Sequence, residues 1–324
     1  MKLVITRYSD EHAPAWNELV ENSINGTFLH SRQFFDHNPL NKQDDCSFLF
    51  FKKNKVAAVI PCSLYEREGK RILHSHMRST YGGFVINEEI GMEEAVEMVD
   101  KLVTEARAQG VQEIIIRNPF RIFHRKLCDE IDYALWYHGF TIKSRELETA
   151  VRLGGYEQVQ SLYDDSTKRS VKKSRQNVSV QLSEDFKSYW TVLEQNLLKK
   201  HNTKPTHSYN DFVVLLNKVG HDKIKLFAAF KDSNLIAGII VFVTNNMVLH
   251  AQYIASDELY QEFRPLNAVI DEIIQWGCNH GYTFLNLGTS NTDGGRTING
   301  GLFRFKEGFG GRNTLRETMH LILK

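Results

Sequence analysis

Cysteine is sparse in this chain. Cys46, Cys62, Cys128 and Cys278 stand far apart, and none has a CxxC partner. That excludes a dense disulfide framework or a zinc ribbon and leaves reduced thiols in or near a core. Net charge is also scarce: 40 Lys and Arg against 39 Asp and Glu give +1. No whole-molecule field favours a nucleic-acid coat, so any basic site must be local. Long apolar runs are missing. The longest, "LIAGIIVFV" from Leu235 to Val243, is about half of what a membrane span needs and is rich in β-branched residues, so it reads as a buried strand. The opening "MKLVITRYSDEHAPAW" has no apolar stretch of the secretory kind. The expectation is a soluble, cytoplasmic chain with no stable membrane insertion. No pair of carboxylates has general-base spacing, and no covalent nucleophile stands out. Asp293 and Glu307 read as loop acids, solvated or turn-forming. His201 and His207 flank "NTKPT" without metal-site spacing and read as solvent-facing.

What is present is a globular composition, 42% hydrophobic and 24% charged, over 324 residues. That length fits two domains of about 150 residues each. In the first half, "CSFLFFKKNKVAAVIPCSLYER" reads as a hairpin and Met92–Gln109 as an amphipathic helix closed by Gly110. "QEIIIRN" follows as a central strand. In the second half, "YEQVQSLYDDSTKRSVKKSRQ" reads as helical. Three hairpin strands, "KIKLFAAFK", "LIAGIIVFVT" and "MVLHAQYIA", precede the helix "RPLNAVIDEIIQWGCNHG" and the strand "YTFLNLG". Each half thus gives a meander, a helix and a strand. The pattern predicts a mixed α/β chain of two similar domains, 1–153 and 154–324.

One stretch resists a plain structural role. "GGLFRFKEGFGGR", Gly300 to Arg312, sets five glycines beside three phenylalanines and four charged side chains. Glycine is used where φ is positive or where something must come close, so the stretch reads as a bent loop. A second is the basic run Lys168, Arg169, Lys172, Lys173 and Arg175. Its i,i+4 like-charge pairs oppose a helix unless an anion lies on that face. The alternatives are a surface turn with a solvated lysine and a solvated helix face.

"LNLGTSN" followed by "GGLFRFKEGFGG" resembles the closing motif of FemAB-type peptidyltransferases and related acyltransferases. "TYGGF" (Thr80–Phe84) resembles their Tyr-Gly-Gly element, and "KRSVKKSRQNVSV" the basic helix that opens their second domain. The resemblance covers the whole chain weakly and the last forty residues well. It implies two tandem GNAT-like domains, each a mixed sheet flanked by helices, and transfer of an acyl or aminoacyl group to an amine. The donor would be acyl-CoA or another activated acyl carrier, used as a cosubstrate with no tightly bound cofactor. The acceptor would be a small-molecule amine, on a nucleotide- or lipid-linked sugar or another cell-envelope precursor. Aminoacyl-tRNA is a further donor, and a module that binds nucleotide-sugar or RNA without catalysis is the alternative.

The resemblance implies the role of Lys306, and the residues themselves give further candidates. Lys306 and Tyr253 would be catalytic. Arg264, Asn267, Arg304, Phe305, Gly308 and Gly310 would hold the donor. Arg78, Tyr81, Lys172, Lys173 and Arg175 would hold the acceptor or its phosphates. Two departures stand out: no coiled-coil insertion in the second domain, and "QEFRPLN" (Gln261–Asn267) where acetyltransferases place a glycine-rich pyrophosphate loop. A helix N-terminus there would still offer free N–H groups. "HAQYIA" should set His250 and Gln252 on one face of a strand and Tyr253 on the other.

Overall fold

A computed structural model describes residues 2–203, 205 and 207–324. The chain divides into two compact units. The first holds residues 1–146, 293–296 and 315–324; the second holds 147–292 and 297–314. The last ten residues, placed by the sequence pattern with the second domain, are thus counted with the first.

In the first unit, β1 (Val4–Arg7), β2 (Phe48–Lys52), β3 (Lys55–Ile60) and β6 (Val85–Ile86) form one antiparallel sheet, in the order β1-β2-β3-β6. A second set runs β4 (Cys62–Arg67), β5 (Lys70–Ser75), β7 (Glu113–Ile116) and the end of β16 (Arg312–Ile322). Between β5 and β7 the pairing is parallel, Ile72–His74 against Glu113–Ile115. The chain returns for it through α4 (Met92–Ala108). Ala95, Met98, Val99, Leu102, Val103 and Ala106 of α4 are buried at helical spacing, and Gly110 at φ +69° ends the turn. The remaining helices are α1 (Ala13–Asn22), α2 (Arg32–Phe35), α3 (Pro39–Gln43) and α5 (Glu130–Tyr137).

The second unit repeats this plan. Its sheet runs from the end of β8 (Thr141–Arg152) through β13 (Phe284–Thr289), β12 (Val248–Ser256), β11 (Asn234–Val243) and β10 (Ile224–Lys231) to β9 (Ser179–Ser183). β12 and β13 are the parallel pair, and α10 (Pro265–Asn279) is the helix between them. Pro265 opens α10, and Ala268, Val269, Ile270, Ile273 and Ile274 bury its inner face against Ile239, Val241, Leu249 and Leu285. The other face of the sheet carries α8 (Phe186–His201), which packs on β11 and β12, followed by α9 (Tyr209–Val219). A short hairpin pairs β14 (Asn291–Thr292) with β15 (Thr297–Ile298).

Two segments differ from the sequence-based expectation. Residues 156–176 are two helices, α6 (Tyr156–Ser161) and α7 (Asp165–Asn177), because the Asp164 carboxylate accepts from the Thr167 N–H (2.6 Å) and starts α7 afresh. The expected loop at 300–312 is a helix over most of its length, α11 (Gly300–Glu307), capped by Asn299, whose Oδ1 accepts from the Leu302 N–H at 3.0 Å. All four cysteines are free thiols, three of them buried.

Candidate active site

Helix α11 brings Lys306 inward rather than out on a loop. The side chain is 3% exposed. Its Nζ donates to the carbonyl oxygens of Gly288 (2.8 Å) and Thr289 (2.7 Å), at the end of β13. Gly288 has φ +76°, so the strand turns there and offers both carbonyls to one ammonium. The glycines after α11 serve the same packing. A Cβ on Gly308 would lie 2.4 Å from Thr167 Oγ1, and one on Gly310 (φ +76°) would lie 2.9 Å from Leu162 Cβ. The close approach expected of a donor is made by this chain's own 162–167 segment. Phe305 packs on the second unit's core and meets Phe309 edge-on at 5.6 Å. Arg304 is exposed.

The strand β12 carries the decisive irregularity. It pairs with β13 only from Val248 to His250, against Phe284 to Asn286, although it continues to Ser256. On its other side the register with β11 slips: Phe242 faces His250 and Val241 faces Ala251, but Ile240 faces Tyr253. Gln252 is the extra residue of a β-bulge. Phe242 and Ile240 share a face, so His250 and Tyr253 do too. The strict alternation expected for "HAQYIA" fails because of the bulge.

Two polar groups sit on that face. At the point where the strands part, Asn286 is fully buried. Its Oδ1 accepts from the Gly288 N–H (2.9 Å), which turns its amide Nδ2 to Glu148 Oε2 (3.2 Å) and to His250 Nδ1 (2.9 Å). His250 Nδ1 is therefore an acceptor, and its ring proton sits on Nε2. Further along, Tyr253 OH lies 3.0 Å from His207 Nδ1. Burial pushes the Tyr253 hydroxyl well above the usual phenol range, with the Gln252 side chain's hydrogen bond opposing it. Burial also lowers the His207 imidazole below its ordinary value. The solvent-facing role expected of His207 is thus wrong: its ring lies against the Tyr253 hydroxyl. The side chain of His201 lies outside the described residues. Trp190 and Tyr189 of α8 cover Tyr253, the former ring to ring at 5.4 Å and the latter by an O–H to the Tyr253 carbonyl at 2.8 Å.

The structure redirects several other expectations. Arg175 donates from Nε to Asp271 Oδ2 (2.5 Å) and from Nη1 to Glu272 (3.1 Å). Asp271 is wholly buried, and its other oxygen accepts from Tyr156 OH (2.9 Å) and Tyr163 OH (3.0 Å). Burial and then the carboxylate raise both phenols, so they stay protonated donors. Arg175 thus neutralises a core carboxylate. Lys168, Arg169, Lys172 and Lys173 do form an exposed face of α7, which packs along α10 and touches the turn Glu258–Phe263 before it. Arg264 is exposed at φ +54° as the N-cap of α10, and Asn267 is buried in the first turn.

In the first unit, Tyr81 is fully buried. Its hydroxyl donates to Thr27 Oγ1 (3.1 Å) and its ring packs on Phe123 at 4.7 Å. Arg78 pairs with Asp44 (2.8 Å). Tyr81 is core here rather than an acceptor contact. Past the β5–β7 pairing, the Gly82 N–H donates to the Arg117 carbonyl (2.8 Å) and Arg117 Nη1 to the Thr80 carbonyl (3.1 Å). The chain's own loop continues the pairing there, whereas among the described residues no strand continues the β13-side pairing of β12 past His250.

Residues 165–306, which include this bulged and parting strand pair, match the model of the acetyltransferase (GNAT) domain. A domain of the acetyltransferase (GNAT) type thus makes up part of the chain, whose fold as a whole is FemAB-like. The fold is similar to that of FemX, at 12% identity over 99% of this chain and 97% of that one, with a TM-score of 0.74. It is similar to L-PGS from Bacillus licheniformis (11% identity, 97% and 92% covered, TM-score 0.61). It is also similar to a tandem GNAT protein from the clavulanic acid biosynthesis pathway (7%, 99% and 98%, 0.53). At such identities the likeness establishes the fold. No curated protein sequence matches, so the site has to be argued from the chain's own side chains. His207, Gln252, Asn286 and Glu148 were not singled out as site residues by their sequence neighbourhoods. The one available signal was their type: polar residues in or beside strands that are otherwise apolar. No helix among the described residues is long and apolar enough to cross a membrane.

Proposed function

We propose that this chain is an acyltransferase that moves an acyl or aminoacyl group from a thioester donor, acyl-coenzyme A first among them, to the amine of a small acceptor. The site is where β12 and β13 part in the second unit. The observation that carries this reading is the early end of the β12–β13 pairing beside the Gln252 bulge. An unpaired strand edge presents N–H and C=O groups to an amide-bearing donor arm much as it would to another strand. The first turn of α10, with no side-chain cap and with Arg264 beside it, suits the donor's phosphates. The exposed lysines of α7 add positive charge on the neighbouring helix.

Acyl transfer needs the amine's proton removed and the leaving sulfur protonated. Tyr253 and His207 are placed to carry that one proton. As the amine nitrogen bonds to the acyl carbon, its proton passes to the Tyr253 oxygen, and the tyrosine's own proton passes to His207 Nδ1. When the carbon–sulfur bond breaks, the proton returns by the same path to sulfur. The lowered His207 keeps the imidazole neutral and ready to accept near pH 7. Lys306 is a positioning residue in this account. It fixes the end of β13, so the parting of the strands persists without a ligand.

An exposed run of four cations on α7 favours a second donor class, aminoacyl-tRNA. The acceptor on a nucleotide- or lipid-linked sugar in envelope synthesis is the finer form of the proposal. The test is a thermal-shift screen with coenzyme A, acyl-CoAs, UDP-amino sugars and tRNA, paired with thiol release by wild type and Tyr253→Phe. A ligand at 100 times its Kd stabilises the native state by about 2.7 kcal/mol. A shift with an acyl-CoA, and thiol release reduced in the variant, is the expected result. A shift with tRNA alone, strongly reduced by added salt, would replace the thioester by the second donor class. No shift with any of them would overturn the proposal.

A further inference from the structure

Two buried polar atoms beside Tyr253 have no hydrogen-bond partner among the described residues: the indole Nε1 of Trp190, a residue 2% exposed, and the amide Oε1 of Gln252. Both belong to neighbours of Tyr253: Trp190 packs on its ring, and Gln252 precedes it in the bulge. Native interiors rarely leave such groups unpaired, and a buried orphan opposes folding. Neither is explained by packing alone. Trp190 is already wedged among Tyr209, Phe212 and Tyr253, a contact that a phenylalanine would largely reproduce. Gln252 is the bulge residue, where the strand spends an extra position to re-aim side chains.

We infer that Trp190 and Gln252 form the acceptor subsite, and that the acceptor is an amine carrying a neutral oxygen close by, of the amino-sugar or amino-alcohol class. This rests on the proposed function above. One orphan is a donor and the other an acceptor, so together they recognise a molecule that offers both. The acceptor's amine donates to Gln252 Oε1, which holds its nitrogen next to the Tyr253 hydroxyl. A hydroxyl oxygen of the same molecule accepts from Trp190 Nε1–H. A plain alkylamine leaves the indole N–H unpaired and is rejected for that reason. A carboxylate in place of the hydroxyl would need a charged partner once buried, whereas the indole is neutral. The aromatic walls supply apolar contact for a compact ring or short chain.

The test is binding by saturation-transfer NMR with D-glucosamine, ethanolamine, L-alanine and cyclohexylamine, on the full chain. Wild type is compared with Trp190→Phe and Gln252→Met, and coenzyme A binding is measured in each as a control for folding and for the donor site. Glucosamine or ethanolamine should bind at least tenfold more tightly than cyclohexylamine in wild type. Each substitution should collapse that ratio toward one while coenzyme A binding is kept. An unchanged ratio in both variants, or no preference in wild type, overturns the subsite. A Trp190-dependent preference for alanine alone overturns the class assigned to the acceptor. Selective amine binding without acyl transfer from any donor leaves the subsite standing and removes the catalytic reading instead.

Discussion

Replacing Lys306 by methionine separates two roles that its sequence context leaves open. The substitution keeps most of the aliphatic stem and removes the ammonium. In the structure that ammonium bonds two backbone carbonyls at 2.8 and 2.7 Å from within the core. A hydrogen bond to a charged donor is worth about 1.5–3 kcal/mol net, and a buried carbonyl left unpaired costs about 1–3 kcal/mol. The two bonds share one donor group and are not additive, so a loss of about 3 kcal/mol is the working figure. For a unit of this size each kcal/mol moves the midpoint by about 2–4 °C, which gives a fall of roughly 6–12 °C. Thermal unfolding followed by circular dichroism measures it, and donor titrations at a temperature where both proteins are folded complete the assay. The account predicts the large fall in Tm, with a reduced kcat, because the end of β13 is no longer fixed. A Tm within about 2 °C of wild type, combined with a raised donor KM, would refute it. Lys306 would then contact the donor's phosphates rather than the strand.

Arg175→Ala leaves the buried Asp271 with its two tyrosine donors. Part of the arginine is exposed, so the cost falls below that of a fully buried pair, at about 1–3 kcal/mol. Urea unfolding should show this with donor KM unchanged, whereas a raised KM at full stability would restore the phosphate role. The acid limb of kcat/KM should lie below the ordinary histidine range, because the His207 imidazole must be neutral and burial lowers its pKa. His207→Gln should remove that limb and cost about 10²–10⁴ in rate, and an unaltered pH profile would exclude the relay. In the first unit, burial lowers His30 to about 4 and His76 well below its usual value. The unfolded chain therefore takes up protons first. Stability from these groups is complete above about pH 6.5 and is lost as pH falls toward 4, by about 3 kcal/mol for His30 alone. Urea midpoints at pH 7.5 and 5 that agree would contradict this.

The repeat of meander, helix and strand was legible in the sequence because amphipathic spacing at 95–106 and 268–274 is strong and Gly110, Pro265 and Gly281 punctuate it. The parallel pairs β5–β7 and β12–β13 follow from those two helices. The site was less legible. A bulge at Gln252 leaves no trace in residue type, so the face of Tyr253 was misassigned. Helix α11 was read as a loop because five glycines outweigh its propensity. For Gly308, Gly310 and Gly311 the reason is tertiary: Thr167, Leu162 and Thr149 lie where side chains would go. Arg175 looked like its basic neighbours because a run of charges does not show which member faces a buried Asp271 nearly a hundred residues away. His207 could not be placed against Tyr253 without the packing of α8 and α9.

The measurement that tests the central claim most directly is hydrogen–deuterium exchange of the full chain with and without coenzyme A. The account predicts slowed exchange in peptides covering Ala251–Ser256 and the first turn of α10, with Ile72–Phe84 in the first unit unaffected. Protection of Ile72–Phe84 with none in Ala251–Ala268, or no protection at saturating coenzyme A, would contradict the placement of a thioester donor at the parted strands.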